Sequence, residues 1–255
     1  MKLIDTHCHL YLKEFSGDLP GILLRAEQEG VEKIYLPAID SSCIEDMMWL
    51  EKLYPSKCFA MAGLHPCYVK ANYEDELLIV QRQLSERKFA AVGEIGLDYY
   101  WDKQFAKEQL IAFNLQIQLA AEYDLPVVIH SRSSMEDSIA MIRKHRDTGI
   151  RGIFHCFSGT IQEGMDIIDA GLYLGIGGVV TYKNAGLAEV VAGLPVERLV
   201  LETDAPYLSP VPFRGKRNES SYLKYILAKI AEVKKVSVEE LASITTANAQ
   251  KIFGQ

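Results

Sequence analysis

Short apolar runs alternate with longer amphipathic stretches from one end of this chain to the other. The runs centre on Leu3–Asp5, Lys33–Leu36, Cys58–Gly63, Ala90–Gly93, Val127–Ile129, Gly152–Phe154, Leu172–Leu174 and Arg198–Leu201. Each is too short for a helix and nearly continuous in apolar character, the pattern of strands buried on both faces. Helical spacing marks the stretches between them: Leu19–Glu29, Ile44–Lys52, Tyr73–Glu86, Phe105–Tyr123, Ser134–His145, Ile161–Asp169 and Ala185–Val191. In the fourth of these, Leu110, Phe113, Leu115, Ile117 and Ala120 belong to one broad apolar stripe. Two more helices are predicted at about Glu219–Val233 and Val238–Lys251. Alternating strands and helices imply a parallel sheet covered by helices, and eight strands select a closed barrel over an open sheet. The open doubly wound alternative is further disfavoured because no G-x-G-x-x-G or G-x-x-x-x-G-K-[ST] follows any strand. The expected fold class is α/β, a single (β/α)8 TIM-type barrel with extra C-terminal helices. No linker or low-complexity tract divides residues 1–255, so one domain is expected.

Catalytic groups of such barrels sit where strands end and βα loops begin. Strand one ends in Asp5-Thr6-His7-Cys8-His9, strand three in Gly63-Leu64-His65-Pro66, and strand four in Gly93-Glu94-Ile95-Gly96-Leu97-Asp98. Strand five ends at His130, strand six at His155, and strand eight in Glu202-Thr203-Asp204-Ala205-Pro206. Five of the chain's six histidines therefore fall at strand ends, a concentration that chance does not produce. His7 and His9 project to the same side of their strand, while Cys8 points away. Imidazoles with carboxylates suit a borderline divalent metal such as zinc, manganese, iron or cobalt. Four histidines with two carboxylates exceed the needs of one ion but serve two ions that share a carboxylate, roughly 3.5–4 Å apart, with positions open for water and substrate.

Composition narrows the function. The length of 255 residues matches one α/β barrel, and 49% hydrophobic with 24% charged residues is ordinary for a globular domain. The net charge of −7 argues against a broad basic face that coats duplex nucleic acid. It leaves room for a phosphate-bearing substrate, because bound divalent cations invert the field of an acidic cleft. Five cysteines without C-x-x-C spacing suggest reduced thiols and no disulfide framework. No stretch resembles a signal peptide or a membrane span, so a cytoplasmic location is expected.

D-T-H-C-H, G-L-H-P, G-E-I-G-L-D-Y-Y, H-S-R, H-C-F-S-G, L-E-T-D-A-P-Y-L and R-G-K-R-N-E occur in this order, followed by T-x-x-N-A-x-x-I-F-G. Together they resemble the TatD family of metal-dependent deoxyribonucleases, which belongs to the amidohydrolase-like metal barrels. Each motif alone is weak, but the ordered set spans almost the whole chain. The resemblance implies that His7 and His9 bind a first metal, that Glu94 bridges both, and that His130 and His155 bind the second. It implies further that Asp204 binds the first metal and orients or deprotonates the attacking water. Related barrels that bridge with a carboxylated lysine need a lysine at the end of strand four, where this chain has none. One position departs: the family commonly reads R-G-K-R-N-E-P, and Ser220 stands where that proline would be.

Other residues are candidates of a second kind. His65 is read as a substrate contact or a group beside the metals, with capping of the turn at Pro66 as the alternative. Glu202 and Asp5 share strand faces with Asp204 and His7, and are read as groups that orient ligands, with a structurally paired buried carboxylate as the equal alternative for each. Arg132, Arg214, Lys216 and Arg217 are read as phosphate contacts, because guanidinium forks fit phosphate oxygens. Tyr99, Tyr100 and Trp101 could stack on bases, although packing is the commoner role of such a run. His145 is expected to be exposed. The resemblance implies a DNA phosphodiesterase acting from 3′ ends, with single-stranded or frayed ends preferred, and two divalent ions (zinc, manganese or magnesium) that activate a bridging water. No obligate protein partner is evident. Hydrolysis of amides, lactones or small phosphate esters at the same site is the second enzymatic reading. A metal-stabilised scaffold without turnover is a third, disfavoured by the complete ligand set.

Overall fold

The computed structural model describes residues 1–101 and 103–254. Eight strands are present among them: β1 (Leu3–Asp5), β2 (Val31–Leu36), β3 (Cys58–Ala60), β4 (Val92–Asp98), β5 (Val127–Arg132), β6 (Gly152–Phe154), β7 (Tyr173–Ile176) and β8 (Leu199–Leu201). They form two parallel sheets in sequence order, β1-β2-β3 and β4-β5-β6-β7-β8. Single parallel bridges, Ala62 with Val92 and Cys8 with Ala205, join the sheets at both seams. The cyclic order is that of a (β/α)8 barrel, as the alternation of apolar runs predicts.

The helices are α1 (Leu19–Gln28), α2 (Ile44–Leu53), α3 (Tyr73–Glu86), α4 (Ala106–Glu122), α5 (Met135–Lys144), α6 (Ile161–Asp169), α7 (Leu187–Gly193), α8 (Leu223–Lys234) and α9 (Val238–Phe253). The predicted bounds of α3 and α6 coincide with the observed ones, and α6 starts on a capping box between Thr160 and Glu163. The α8 segment is reached through a 3-10 turn, Ser220–Tyr222, that the helical periodicity did not separate from it. Strand bounds differ more. β4 and β5 run on to Asp98 and Arg132, so Glu94 and His130 lie within strands and not just beyond them. The polar residues that ended the apolar runs are still held in the ladder of this pair.

Two apolar layers follow from strand alternation. Leu3, Ile34, Leu36, Val127, Ile129, Phe154, Leu199 and Leu201 pack outward under the helices in the large cluster. Ile4, Tyr35, Met61, Val128, Ile153 and Val200 form a second cluster inside the barrel, closed by Ala249 and Ile252 of α9. Tyr35 stacks on Phe253 with ring centroids 3.7 Å apart, so the last helix plugs the end of the barrel where the strands begin. The interior set also determines which polar residues face inward at the other end. His130 lies two residues beyond Val128, His155 two beyond Ile153, and Glu202 and Asp204 two and four beyond Val200.

Glu94 needs a further device. The β4–β5 register pairs Gly93 with Val128 and Ile95 with Ile129, leaving Glu94 without a partner. This bulge inserts one residue, returns Ile95 to the outer layer and turns Glu94 into the barrel. Gly175 of β7 has a related role. A Cβ there would collide with the Glu202 carboxylate, so glycine makes the room this buried acid occupies. Gly175→Ala is therefore expected to destabilise the fold by about 1–3 kcal/mol through overpacking. The check is the midpoint of chemical denaturation, and an unchanged midpoint would mean that Glu202 has another place to go.

Candidate metal centre

The two carboxylate oxygens of Glu94 face different groups of rings. Oε2 lies 3.1 Å from His7 Nε2 and 3.5 Å from His9 Nε2. Oε1 lies 2.8 Å from His155 Nε2, 3.0 Å from His130 Nδ1 and 3.2 Å from His65 Nε2. Asp204 Oδ1 closes the first group at 3.6 Å from both His7 Nε2 and His9 Nε2. All of these side chains are buried or nearly so. The structure thus brings His7, His9, Glu94, His130, His155 and Asp204 together, with His65 against the same carboxylate.

The donor set fits divalent cations. Ring nitrogens and carboxylate oxygens converge at 2.8–3.6 Å around Glu94 and outnumber the protons that neutral imidazoles could place between them. Mixed imidazole and carboxylate donors of this kind suit borderline metals.

The partners of each ring decide which nitrogen can serve as a ligand. His130 Nε2 lies 2.8 Å from Asp98 Oδ2, so a neutral ring donates there and keeps its Nδ1 lone pair for the centre. Asp98 Oδ1 also accepts from the backbone of Tyr100 and Trp101, at 2.9 and 3.2 Å. His65 differs. Its Nδ1 accepts from the Cys67 backbone at 3.0 Å, so its Nε2 carries the proton and donates to Glu94. Turn capping and a place beside the centre are both present, and the ring supports the carboxylate as a donor. His155 Nδ1 faces Glu202 Oε1 at 3.6 Å, and Glu202 in turn accepts the Cys156 amide. His9 Nδ1 lies 3.0 Å from the hydroxyl of Tyr11.

Charge follows geometry. Burial alone would raise the Glu94 carboxyl, but the surrounding imidazoles outweigh it and hold the group well below the usual range. Asp204 is lowered in the same way, against burial, by His9, His7 and His155. Burial lowers His7 and His65. His155 is raised well above the ordinary imidazole value against burial, by Glu94 and Glu202, and His130 is raised by Asp98 and Glu94. Asp98 is held at about 2, its burial outweighed by His130 and two backbone donors. Beneath the centre, burial pushes Asp5 up to about 7 although it accepts from Ser220, Thr203 and His7.

The loop after β8 positions Asp204, whose backbone takes the left-handed conformation at φ 56°. Asn218 Nδ2 donates to the carbonyls of Thr203 and Tyr207, at 2.8 and 2.7 Å, and so straps both sides of Asp204. Glu219 accepts a fork from Arg25 of α1 at 2.8 and 2.6 Å. Ser220 donates to Asp5 Oδ2 at 2.6 Å, a bond that proline at this position could not make. Arg217, expected at the mouth as a phosphate contact, instead forks onto Asp18 at 2.9 and 2.7 Å and donates to the Glu14 carbonyl. This is a correction: its donors brace the loop against the start of α1. The R-G-K-R-N-E stretch reads from sequence as a basic substrate loop, whereas its second half is a structural strap.

Arg214 and Lys216 lie over the rings of Tyr182 and Phe213 at 4.5 and 5.9 Å. The Arg132 guanidinium lies 3.9 Å from the centroid of Tyr100 and 5.2 Å from that of Trp101. Those rings are 58% and 68% exposed, so they are not core packing. A cleft of about 620 Å³ opens beside Arg132, lined also by Tyr99, Ser131 and Ser158. His145 is corrected too: it is buried, with Nε2 2.9 Å from Asn114 Oδ1, because α4 and not solvent covers it. Tyr11, Asp98 and Asn218 were not singled out in the sequence. Asp98 had a signal, standing four residues beyond Glu94 in the same motif, but the other two act through loop contacts that no spacing reveals.

Comparison with known proteins agrees with this picture. Residues 4–254 match the family model described as TatD related DNase. Over 252 residues, covering 98% of each chain, the protein is 40% identical to the uncharacterized metal-dependent hydrolase YabD of Bacillus subtilis (strain 168). It is 32% identical over 259 residues, 99% of each chain, to the 3′-5′ ssDNA/RNA exonuclease TatD of Pantoea ananatis (strain LMG 20103). The crystal structure of the TatD homologue YjjV from Escherichia coli K12 superimposes with a TM-score of 0.94 at 33% identity, covering 99% of this chain and 98% of that one. The chain belongs to the TatD family of metal-dependent hydrolases.

Proposed function

We propose that this hydrolase is a nuclease that holds two divalent cations and removes nucleotides from the 3′ ends of single-stranded or frayed DNA. The observation that carries the reading is the division of Glu94, with one oxygen toward His7 and His9 and the other toward His130 and His155. In this reading His7, His9 and Asp204 hold one cation, His130 and His155 hold the other, and Glu94 bridges them. Zinc, manganese and magnesium are the candidate ions. When bound, the cations supply Lewis acidity and lower the pKa of a coordinated water.

The chain's own residues do the rest. Asp204, held ionised by the rings around it, accepts the proton of the attacking water. His65 donates to Glu94 and keeps that carboxylate in place. Arg132 offers a planar fork to a phosphate, and Tyr100 with Trp101 offers ring faces to a base. A guanidinium beside two exposed rings suits one unpaired strand better than a duplex gripped along its length. The relative named as a 3′-5′ ssDNA/RNA exonuclease supports the same substrate class.

The test is digestion of single-stranded DNA labelled at either end by protein stripped with chelator and reloaded with manganese, magnesium or zinc. Stepwise loss from the 3′ end that metal restores is expected. Glu94→Gln should bind fewer metal equivalents and lose that activity; a variant with both intact would remove Glu94 from the bridge. A wild-type protein that binds metal but leaves DNA whole would redirect the search to amides, lactones and small phosphate esters. Asp204→Asn should lower turnover by roughly 10²–10⁴-fold, the usual contribution of a positioned acid-base group. Wild-type turnover in single-turnover kinetics would end its proton-handling role. Trp101→Ala should raise KM for an oligonucleotide by about tenfold, as expected for loss of one stacked base worth about 1–3 kcal/mol. Cleavage of a small phosphodiester without a base should be unchanged by it; an equal loss on both substrates would argue against stacking.

A further inference from the structure

We infer that Tyr11 is a positioning residue that sets the tautomer of His9 and so prepares one half of the centre for its cation. The inference rests on the metal-binding reading above. Tyr11 lies in the loop after β1, and its hydroxyl is 2.7 Å from the carbonyl of Pro37 and 3.0 Å from His9 Nδ1. A carbonyl can only accept, so the phenol proton goes to Pro37. If that proton turned to His9, two oxygens would face each other at 2.7 Å with nothing between them. The phenol oxygen is then left as an acceptor, and His9 Nδ1 must be the donor. The Cys43 thiol, also near the phenol, has its own acceptor in the Asp40 carbonyl at 3.1 Å.

The consequence appears at the other side of the ring. With the proton fixed on Nδ1, His9 Nε2 presents its lone pair toward Glu94 Oε2 and Asp204 Oδ1, which have lone pairs of their own. His9 Nε2 lies 3.5 and 3.6 Å from these two oxygens and 3.3 Å from His7 Nε2, whose single proton cannot satisfy all three lone pairs, whereas a cation would. The same phenol ties the ring to the bridging carboxylate. Pro37 precedes Ala38, whose amide donates to the Gly93 carbonyl at 2.9 Å and whose carbonyl accepts the Glu94 amide at 3.0 Å. Tyr11 therefore registers His9 against the bulge that aims Glu94. The rings of the centre are prepared unequally: Asp98 sets His130 and Tyr11 sets His9, while His7 Nδ1 has no hydrogen-bond partner among the described residues.

Tyr11→Phe keeps the ring and removes the hydroxyl. Chelator-stripped wild-type and variant proteins would be examined by ¹⁵N NMR of labelled histidine rings, then titrated with manganese and with zinc by calorimetry. The expected wild-type spectrum has one His9 tautomer, protonated at Nδ1, and the variant a mixture. Affinity at one class of site should fall roughly 10- to 100-fold in the variant, as is usual when a partner orienting a ligand is lost, with the second class unchanged. An unaltered His9 tautomer with both affinities intact would overturn the inference. Equal weakening of both classes with a lower melting midpoint would overturn it as well, since it would mark a purely structural role. A wild-type protein that binds no divalent cation would defeat the metal reading, while the tautomer in the NMR spectrum would still decide the role of Tyr11.

Discussion

The centre depends on one buried carboxylate surrounded by imidazoles. Removing a carboxylate from water costs several kcal/mol even after relaxation, and the attraction of oriented partners must offset it. Glu94 lies among five rings divided between its two oxygens; His65 donates to it directly, and a bound cation would offset the rest. Most of the local architecture serves to make that division possible. The bulge in β4 turns the residue inward, Ala38 holds its backbone, and interior positions of β5, β6 and β8 deliver the opposing groups.

Around this carboxylate lies a shell of groups that choose which ring nitrogen faces the centre. Asp98 takes one nitrogen of His130, the Cys67 amide takes one of His65, and the Tyr11 phenol takes one of His9. Chemically similar rings therefore have different roles. His130 and His9 turn lone pairs inward, while His65 turns a proton inward. Such partners hold ligands within the narrow geometry that metal catalysis requires. Asp98 also connects the centre to the rim, because its second oxygen holds the backbone from which Tyr100 and Trp101 project.

The loop after β8 shows how one basic stretch divides its labour. Arg217, Asn218, Glu219 and Ser220 each spend their polar atoms within the protein, on Asp18, the Thr203 and Tyr207 carbonyls, Arg25 and Asp5. These bonds fix a loop in which Asp204 holds a left-handed backbone, a conformation that costs about 1–3 kcal/mol and persists only when its surroundings impose it. Ser220 fits that scheme by donating to Asp5, so its presence in place of proline exchanges a stiff backbone for a hydrogen bond.

By itself the sequence determined the barrel, because eight apolar runs alternating with helical stripes leave few other ways to bury both faces of each strand. It also determined the set of polar residues at the mouth, since histidines and acids that interrupt apolar runs can lie only where strands emerge. His130, His155 and Asp204 follow from the period of two that places Val128, Ile153 and Val200 inside. Glu94 does not follow from that period: Ala91 and Gly93 have the inward parity, and only a bulge in the ladder with β5 brings Glu94 to it. The tertiary structure alone decided which nitrogen of each ring is presented, because that depends on partners from other loops. It also decided that Arg217 is a brace and that His145 is buried, since Asp18 and Asn114 come from distant parts of the chain. Periodicity records which face a residue belongs to, whereas hydrogen-bond partners across the fold are chosen by distance in space.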